Sequence, residues 1–149
     1  MLVKELNKEP IVSNEIKYLD ISKTVGEHSF TVFPEHLNYQ GALFGGKILC
    51  EIDIAAIKPI RRMLYFTDCD TAVTARIGQV DFLRPASLGD IIELHSKIFK
   101  LGKTSIHVNV NVTREDSKGN IETICNAQLV FVSIKDGNPH PHNFQLNLN

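Results

Sequence analysis

The chain has 149 residues, 43% of them hydrophobic and 22% charged, with 16 basic against 17 acidic side chains and a formal net charge of −1. That length suits one domain spanning residues 1–149, able to bury a core without staples, and the balanced charge excludes a global pull toward nucleic acid or anionic membrane. No run approaches the ~18 consecutive apolar residues of a spanning helix, and the charged N-terminus contains no signal-peptide core. Cys50, Cys69 and Cys125 are an odd number at wide spacings, which fits neither a disulfide framework nor a zinc site. The expectation is a cytoplasmic protein whose thiols act as small packing residues.

In chain order, residues 1–20 are polar and read as a loosely attached lead-in to a core at about 28–135. Residues 28–33 alternate well enough for a short strand, which Pro34 ends. The stretch 34–46 carries Asn38, Gly41, Gly45 and Gly46 and reads as a loop with close backbone contacts. Then the period changes: Ile48, Leu49, Ile52, Ala55 and Ala56 recur at helical spacing until Pro59, where the regularity weakens or kinks. This helix is apolar on several sides, which predicts burial. Downstream, residues 71–80, 91–101, 104–113 and 121–134 are rich in Val, Ile, Thr and Phe and are separated by turn signals. Within the third of these, Ser105, His107, Asn109 and Asn111 alternate with Ile106, Val108, Val110 and Val112, the period of a half-buried antiparallel strand. One buried helix followed by four strands predicts an α+β fold with an antiparallel sheet wrapped on the helix.

The chemistry concentrates between Pro34 and Asp53. Gly45 and Gly46 open the helix, where backbone N–H groups are unpaired and the dipole favours negative charge, a place for an anion or a developing oxyanion. Asp53 lies within the apolar stripe, where a carboxylate is costly unless something uses or pairs it. Each feature alone has a plain structural reading: a glycine pair for tight packing, a paired aspartate, and an asparagine that only caps a turn. Gly45 and Asp53 are eight residues apart, roughly 12 Å along a helix axis. One reacting group cannot touch both in a single chain, whereas two antiparallel copies of the helix would bring Asp53 of one opposite Gly45 of the other.

From Pro34 to Asp53 the sequence follows P-x3-N-x2-G-x2-F-G-G-x6-D, which resembles the hot-dog-fold acyl-CoA thioesterases, in particular the bacterial acyl-CoA thioester hydrolases similar to cytosolic brain-type enzymes. Phe82-Leu83-Arg84-Pro85 with Leu88-Gly89-Asp90, Leu101-Gly102-Lys103-Thr104-Ser105, and Phe131-Val132-Ser133-Ile134 resemble further segments of that family. The resemblance implies a long central helix wrapped by an antiparallel sheet. It also implies a homodimer with two sites at its interface, associating further into a trimer of dimers, a hexamer. It implies that Asp53 attacks the thioester or activates water, that Asn38 positions water or substrate, and that the amide of Gly45, or next Gly46, stabilises the oxyanion. The reaction needs no metal and no cofactor beyond the coenzyme A of the substrate, because the thiolate leaves readily. Lys103 and Arg84, with the hydroxyls of Thr104 and Ser105, are the implied contacts for the coenzyme A phosphates.

The resulting expectation is hydrolysis of acyl-CoA to a free acid and coenzyme A, in fatty acid metabolism. A non-catalytic acyl-CoA-binding or regulatory hot-dog protein is the alternative, disfavoured because a pure binder has no need of Asp53. A 3-hydroxyacyl thioester dehydratase stands third, since His36 follows Pro34 and the His-Phe-Pro arrangement is absent. His28, His95 and His107 read as surface or locally bonded strand histidines. His140 and His142, in a Pro-rich tail that lacks a longer helical extension, read as disordered surface with no metal role. Cys50, three residues before Asp53, lacks a cationic partner that would make it a reactive thiol.

Overall fold

In a computed structural model, which describes residues 16–20 and 23–147, alternation along the strands sets the main packing. On β4 (Ile91–Leu101) the side chains of Ile92, Leu94, Ser96 and Ile98 point inward, and on β5 (Ser105–Glu115) those of Ile106, Val108, Val110 and Val112 do so. With β6 (Ile121–Lys135), β3 (Thr71–Phe82) and β2 (Val25–Thr31) they form an antiparallel sheet in the order β2-β4-β5-β6-β3, and the short β7 (Asn138–Pro139) pairs with the end of β6. The inner face receives α1 (Gly45–Leu64), which buries Ile52, Ala55, Ala56, Ile60 and Met63 almost completely. This is the α+β arrangement of a long helix in a curled sheet.

The helix passes through Pro59 and continues to Leu64. A proline in a helix leaves the carbonyl four residues earlier without its donor. Here Ser96 Oγ of β4 donates to Ala55 O at 2.8 Å and takes that role. The same junction explains Gly26: a Cβ there would lie 2.7 Å from Ser96 Oγ and 2.8 Å from Pro59 Cδ. A glycine on β2 thus admits the closest helix–sheet contact, and apolar Ile60, Met63 and Leu64 supply the burial that carries the helix past the proline.

Both chain ends differ from the sequence expectation. Residues 1–15 of the expected lead-in lie outside the described residues, but β1 (Lys17–Asp20) pairs in parallel with β8 (Phe144–Asn147). Leu19 and Phe144 belong to the buried core. The tail expected to be a disordered surface instead packs on the sheet, with His142 only 2% exposed. No helix among the described residues is long and apolar enough to cross a membrane.

Candidate active site

Residues 34–44 are folded by their own backbone before the helix starts. A 3-10 turn (Pro34–His36) leads to Asn38, whose Oδ1 accepts from the amides of Gln40 (2.9 Å) and Ala42 (3.1 Å). Asn38 N donates to Ala42 O at 2.7 Å, and Gly41 takes φ +80°, where a side chain would be strained. Asn38 thus does cap this turn, and its Nδ2 meets no acceptor among the described residues. Leu43 N to Ala86 O (2.9 Å) and Phe44 N to His36 O (2.8 Å) tie this loop to the segment after β3 and fix where α1 begins.

Gly45 and Gly46 are the first two residues of α1, after the extended Phe44. Phe44 O accepts from Lys47 and Ile48, but the amides of Gly45 and Gly46 meet no acceptor among the described residues. Substitution differs between them. A Cβ on Gly46 would collide with the Phe44 ring, whereas one on Gly45 would meet the Phe82 ring at an ordinary 3.7 Å. Two free N–H groups at the positive end of a 20-residue helix form an anion-stabilising corner.

Asp53 is half-buried and turned toward β3, where its Oδ1 accepts from Thr74 Oγ1 at 2.7 Å. Thr74 has no motif around it and the sequence reading missed it. Its register, just before a bulge in the β3–β6 ladder, sets its approach to the helix. β3 is an edge strand of the sheet, as β2 is at the other side, and is exposed along nearly its whole length, including Val73, Ile77 and Phe82.

A second carboxylate lies two residues away on the opposite side of the helix. Glu51 is buried, its Oε2 bonded to His28 Nε2 of β2 and its Oε1 to Lys47 Nζ at 2.6 Å. Burial pushes this carboxyl up, but the hydrogen bonds and charges of Lys47 and His28 outweigh it and hold the group below its usual range. His28 is thus not a simple surface histidine: Lys58 Nζ lies 3.4 Å from its Nδ1 and also donates to Glu27 O at 2.7 Å. An open cavity of about 400 Å³ beside it, lined by Glu27, His28, Ser29, Lys58, Glu93 and His95, contains none of the predicted site residues. The i, i+4 spacing of Lys47 and Glu51 was the available signal for this pair, whereas nothing local marks His28 as its partner.

The predicted phosphate contacts separate into two places. Arg84 is exposed, its Nη1 donating to Thr123 O at 3.3 Å near the start of β6. Lys103, Thr104 and Ser105 lie at the opposite end of the β5–β6 ladder, where Ser105 pairs with Val132, while Thr113 pairs with Thr123. Eight residues of strand separate these ends, about 27 Å. One chain therefore does not bring Arg84 and the 103–105 turn together. Cys50 is exposed, and Cys69 is partly buried, its thiol pushed up by desolvation. Only Cys125 is fully buried, its thiol raised to about 11 chiefly by desolvation. Cys125 lies in the core and Cys69 packs against it, so the expectation of packing thiols holds for these two and is corrected for the exposed Cys50. Among the described residues, no group of three or more His, Cys, Asp or Glu could hold a metal ion.

One long helix wrapped by a curled antiparallel sheet is the hot-dog fold, and residues 40–120 match the family model of the thioesterase superfamily, to which the chain belongs. Among its relatives, a Bacillus subtilis protein named uncharacterized acyl-CoA thioester hydrolase YkhA is 35% identical over 130 residues, covering 85% of this chain and 72% of that one. A Staphylococcus aureus acyl-CoA hydrolase solved with butyryl coenzyme A, coenzyme A and coenzyme A disulfide is 25% identical, with a TM-score of 0.75 over 89% of this chain and 80% of that one. A hexameric hotdog fold thioesterase of Campylobacter jejuni is 34% identical, with a TM-score of 0.67 over 76% and 86% of the two chains.

Proposed function

We propose that the chain is an acyl-CoA thioester hydrolase that converts acyl-CoA and water into a free carboxylic acid and coenzyme A. The observation that carries this reading is Asp53, a half-buried helix carboxylate held by one neutral hydroxyl rather than by a cation. Family membership supports the reaction class, and the Staphylococcus aureus relative solved with butyryl coenzyme A supports the substrate class.

Hydrolysis requires an oxygen nucleophile at the thioester carbon and donors at the oxygen that becomes negative. Asp53 supplies the carboxylate, which activates a water or attacks the carbonyl itself; in both cases the C–S bond breaks and the sulfur leaves as the coenzyme A thiolate. The free amides of Gly45 and Gly46 are the oxyanion donors, and Asn38 positions water or substrate through Nδ2. Phosphates of the coenzyme A tail meet Lys103, Thr104 and Ser105 of one chain, and Arg84 takes part only as a residue of another copy, since one chain holds the two places about 27 Å apart.

Gly45 and Asp53 remain about 12 Å apart along a continuous helix, so the site is shared between two copies of the chain. The exposed apolar edge formed by Val73, Ile77 and Phe82, with Ile54 and Phe44 nearby, is the surface a second copy would cover. Dimers would assemble further into a trimer of dimers, a reading supported by the hexameric state of the Campylobacter jejuni relative.

A panel of acyl-CoAs assayed by release of free thiol tests the reaction. Turnover is expected in the wild type and lost in Asp53→Ala while coenzyme A binding persists; wild-type turnover in that variant overturns the role of Asp53. Binding without turnover in the wild type would instead favour a non-catalytic acyl-CoA-binding protein. Mixing Asp53→Ala with Asn38→Ala chains tests the shared site: about a quarter to a half of wild-type activity is expected if each site draws on both subunits. No recovery in mixed dimers would overturn the sharing.

A further inference from the structure

Residues 138–147 do more than end the chain. After β6 they turn back, and Ser133 and His140 lock the return, with His140 N donating to Ser133 O at 2.8 Å and Ser133 Oγ donating to His140 O. The segment then crosses beneath the hairpin joining β4 to β5 and continues into β8.

The carbonyls of Lys103, Thr104 and Ser105 in that hairpin are each taken from the protein side. Lys103 O accepts from His142 N at 3.4 Å, and Thr104 O accepts from Ser133 N at 2.9 Å and Ser133 Oγ at 3.2 Å. Ser105 O accepts from Gly102 N at 2.9 Å and from His142 Nε2 at 3.3 Å. The amides of Lys103 and Thr104, by contrast, meet no acceptor among the described residues, and Lys103 is exposed. With these three carbonyls occupied, the groups the turn leaves over are rich in donors: two N–H groups, an ammonium and a hydroxyl that can donate. That is the composition an anion requires.

His142 is the link between this turn and the rest of the tail. It is 2% exposed, and its Nδ1 accepts from Phe144 N at 3.0 Å while Nε2 donates to Ser105 O. Only a neutral imidazole with the proton on Nε2 satisfies both bonds. Burial favours that form and holds the group below its usual range, against the opposing effect of the Ser105 and Gly102 carbonyls.

We propose that His142 is the positioning residue of the 103–105 turn: it touches no substrate, and by tying the turn's carbonyls inward it keeps the turn's donors aimed at the phosphates of coenzyme A. This rests on the reading that the turn receives those phosphates. Its signature is a defect confined to the phosphate-bearing part of the substrate.

The test compares one acyl group carried on coenzyme A and on pantetheine, which lacks the nucleotide phosphates, in the full-length enzyme. His142→Phe is expected to raise KM for acyl-CoA about tenfold, equivalent to roughly one charge-assisted hydrogen bond, with kcat and the acyl-pantetheine KM within about twofold of wild type. His142→Gln, which keeps a donor for Ser105 O, is expected to recover KM for acyl-CoA to within about threefold. Ser133→Ala loosens the same turn from Thr104 and is expected to raise KM for acyl-CoA alone by about threefold, so the test stands even if His142→Phe does not fold. Equal changes for both substrates, or none, in these variants would overturn the positioning role. Lys103→Ala separates the two levels: an unchanged acyl-CoA KM there removes the phosphate reading itself, whereas a raised KM there with a normal His142→Phe enzyme removes only the part given to His142.

Discussion

Glu51 and Asp53 are carboxylates two residues apart on one helix, and their surroundings differ in every respect. Glu51 faces β2, is buried, and is met by Lys47 and His28, so its charge is compensated within the chain. Asp53 faces β3, the exposed edge strand at the other side of the sheet from β2, is half-buried, and receives one hydroxyl from Thr74. A 200° turn about the helix axis thus separates a carboxylate built into the packing from one left with unused lone pairs. On the proposed reading burial alone singles out the wrong group: a buried and fully paired acid serves the packing, while the incompletely satisfied acid beside an exposed edge strand keeps lone pairs for chemistry.

The largest effect that would test this contrast is on catalysis. Asp53→Asn keeps the size of the side chain and removes its basicity, and kcat is expected to fall by about 10² to 10⁴, in the range of a lost general base. The thermal midpoint should barely move, as no cation is stranded. Glu51→Leu should do the reverse. It leaves the Lys47 ammonium and the His28 ring without their acceptor, at a cost of about 2 kcal/mol, or about 6 °C in the midpoint for a domain of this size. Per folded enzyme, turnover should stay within about twofold of wild type. A Glu51→Leu protein with normal stability and lost turnover would reverse the assignment of the two acids, which calorimetry and the thiol-release assay together would reveal.

The same contrast marks what could be read in the sequence. The four main strands and the helix are legible because local alternation and helical spacing write them directly, and the Asn38, Gly45, Gly46 and Asp53 spacing is legible because those residues share one local motif. What escaped is non-local. Thr74 and His28 reach the helix from strands 21 and 23 residues away, and a threonine or histidine on a strand gives no local sign of a helical partner. The pairing of β1 with β8 joins four-residue strands from the two ends of the chain, too short for a period to declare itself. The turn beyond Pro59 was obscured because the donor that replaces the missing N–H, Ser96, comes from β4. His142 reads as tail in sequence and as core in the fold for the same reason: its partners lie at residues 103–105.

Smaller effects sharpen the comparison on each side of the helix. Thr74→Val preserves shape and deletes the hydroxyl bonded to Asp53, so kcat should drop about fivefold, the equivalent of one neutral hydrogen bond, and Thr74→Ser should restore most of it. An unchanged kcat in Thr74→Val would mean that Asp53 is oriented by something other than β3.

The smallest expected effect is a change in the slope of stability with pH. Glu51 is held below its usual value of 4.5 in the fold by Lys47 and His28 on its two oxygens, against the upward push of burial, with Lys58 beyond His28 adding positive charge on the same side. In the unfolded chain the group regains its ordinary affinity for protons, so between that value and the lower folded one the unfolded state binds more protons. The stabilisation contributed by the ionised carboxylate is therefore complete above about pH 4.5 and is lost as the pH falls through the folded value. Glu51→Gln has no carboxylate to protonate, and its thermal midpoint should fall less steeply than that of the wild type below pH 4.5, with parallel curves from pH 6 to 8. If Glu51→Gln leaves that limb as steep as in the wild type, the carboxylate is not compensated by Lys47 and His28 in the fold, and the division of labour between the two faces of α1 fails at its foundation.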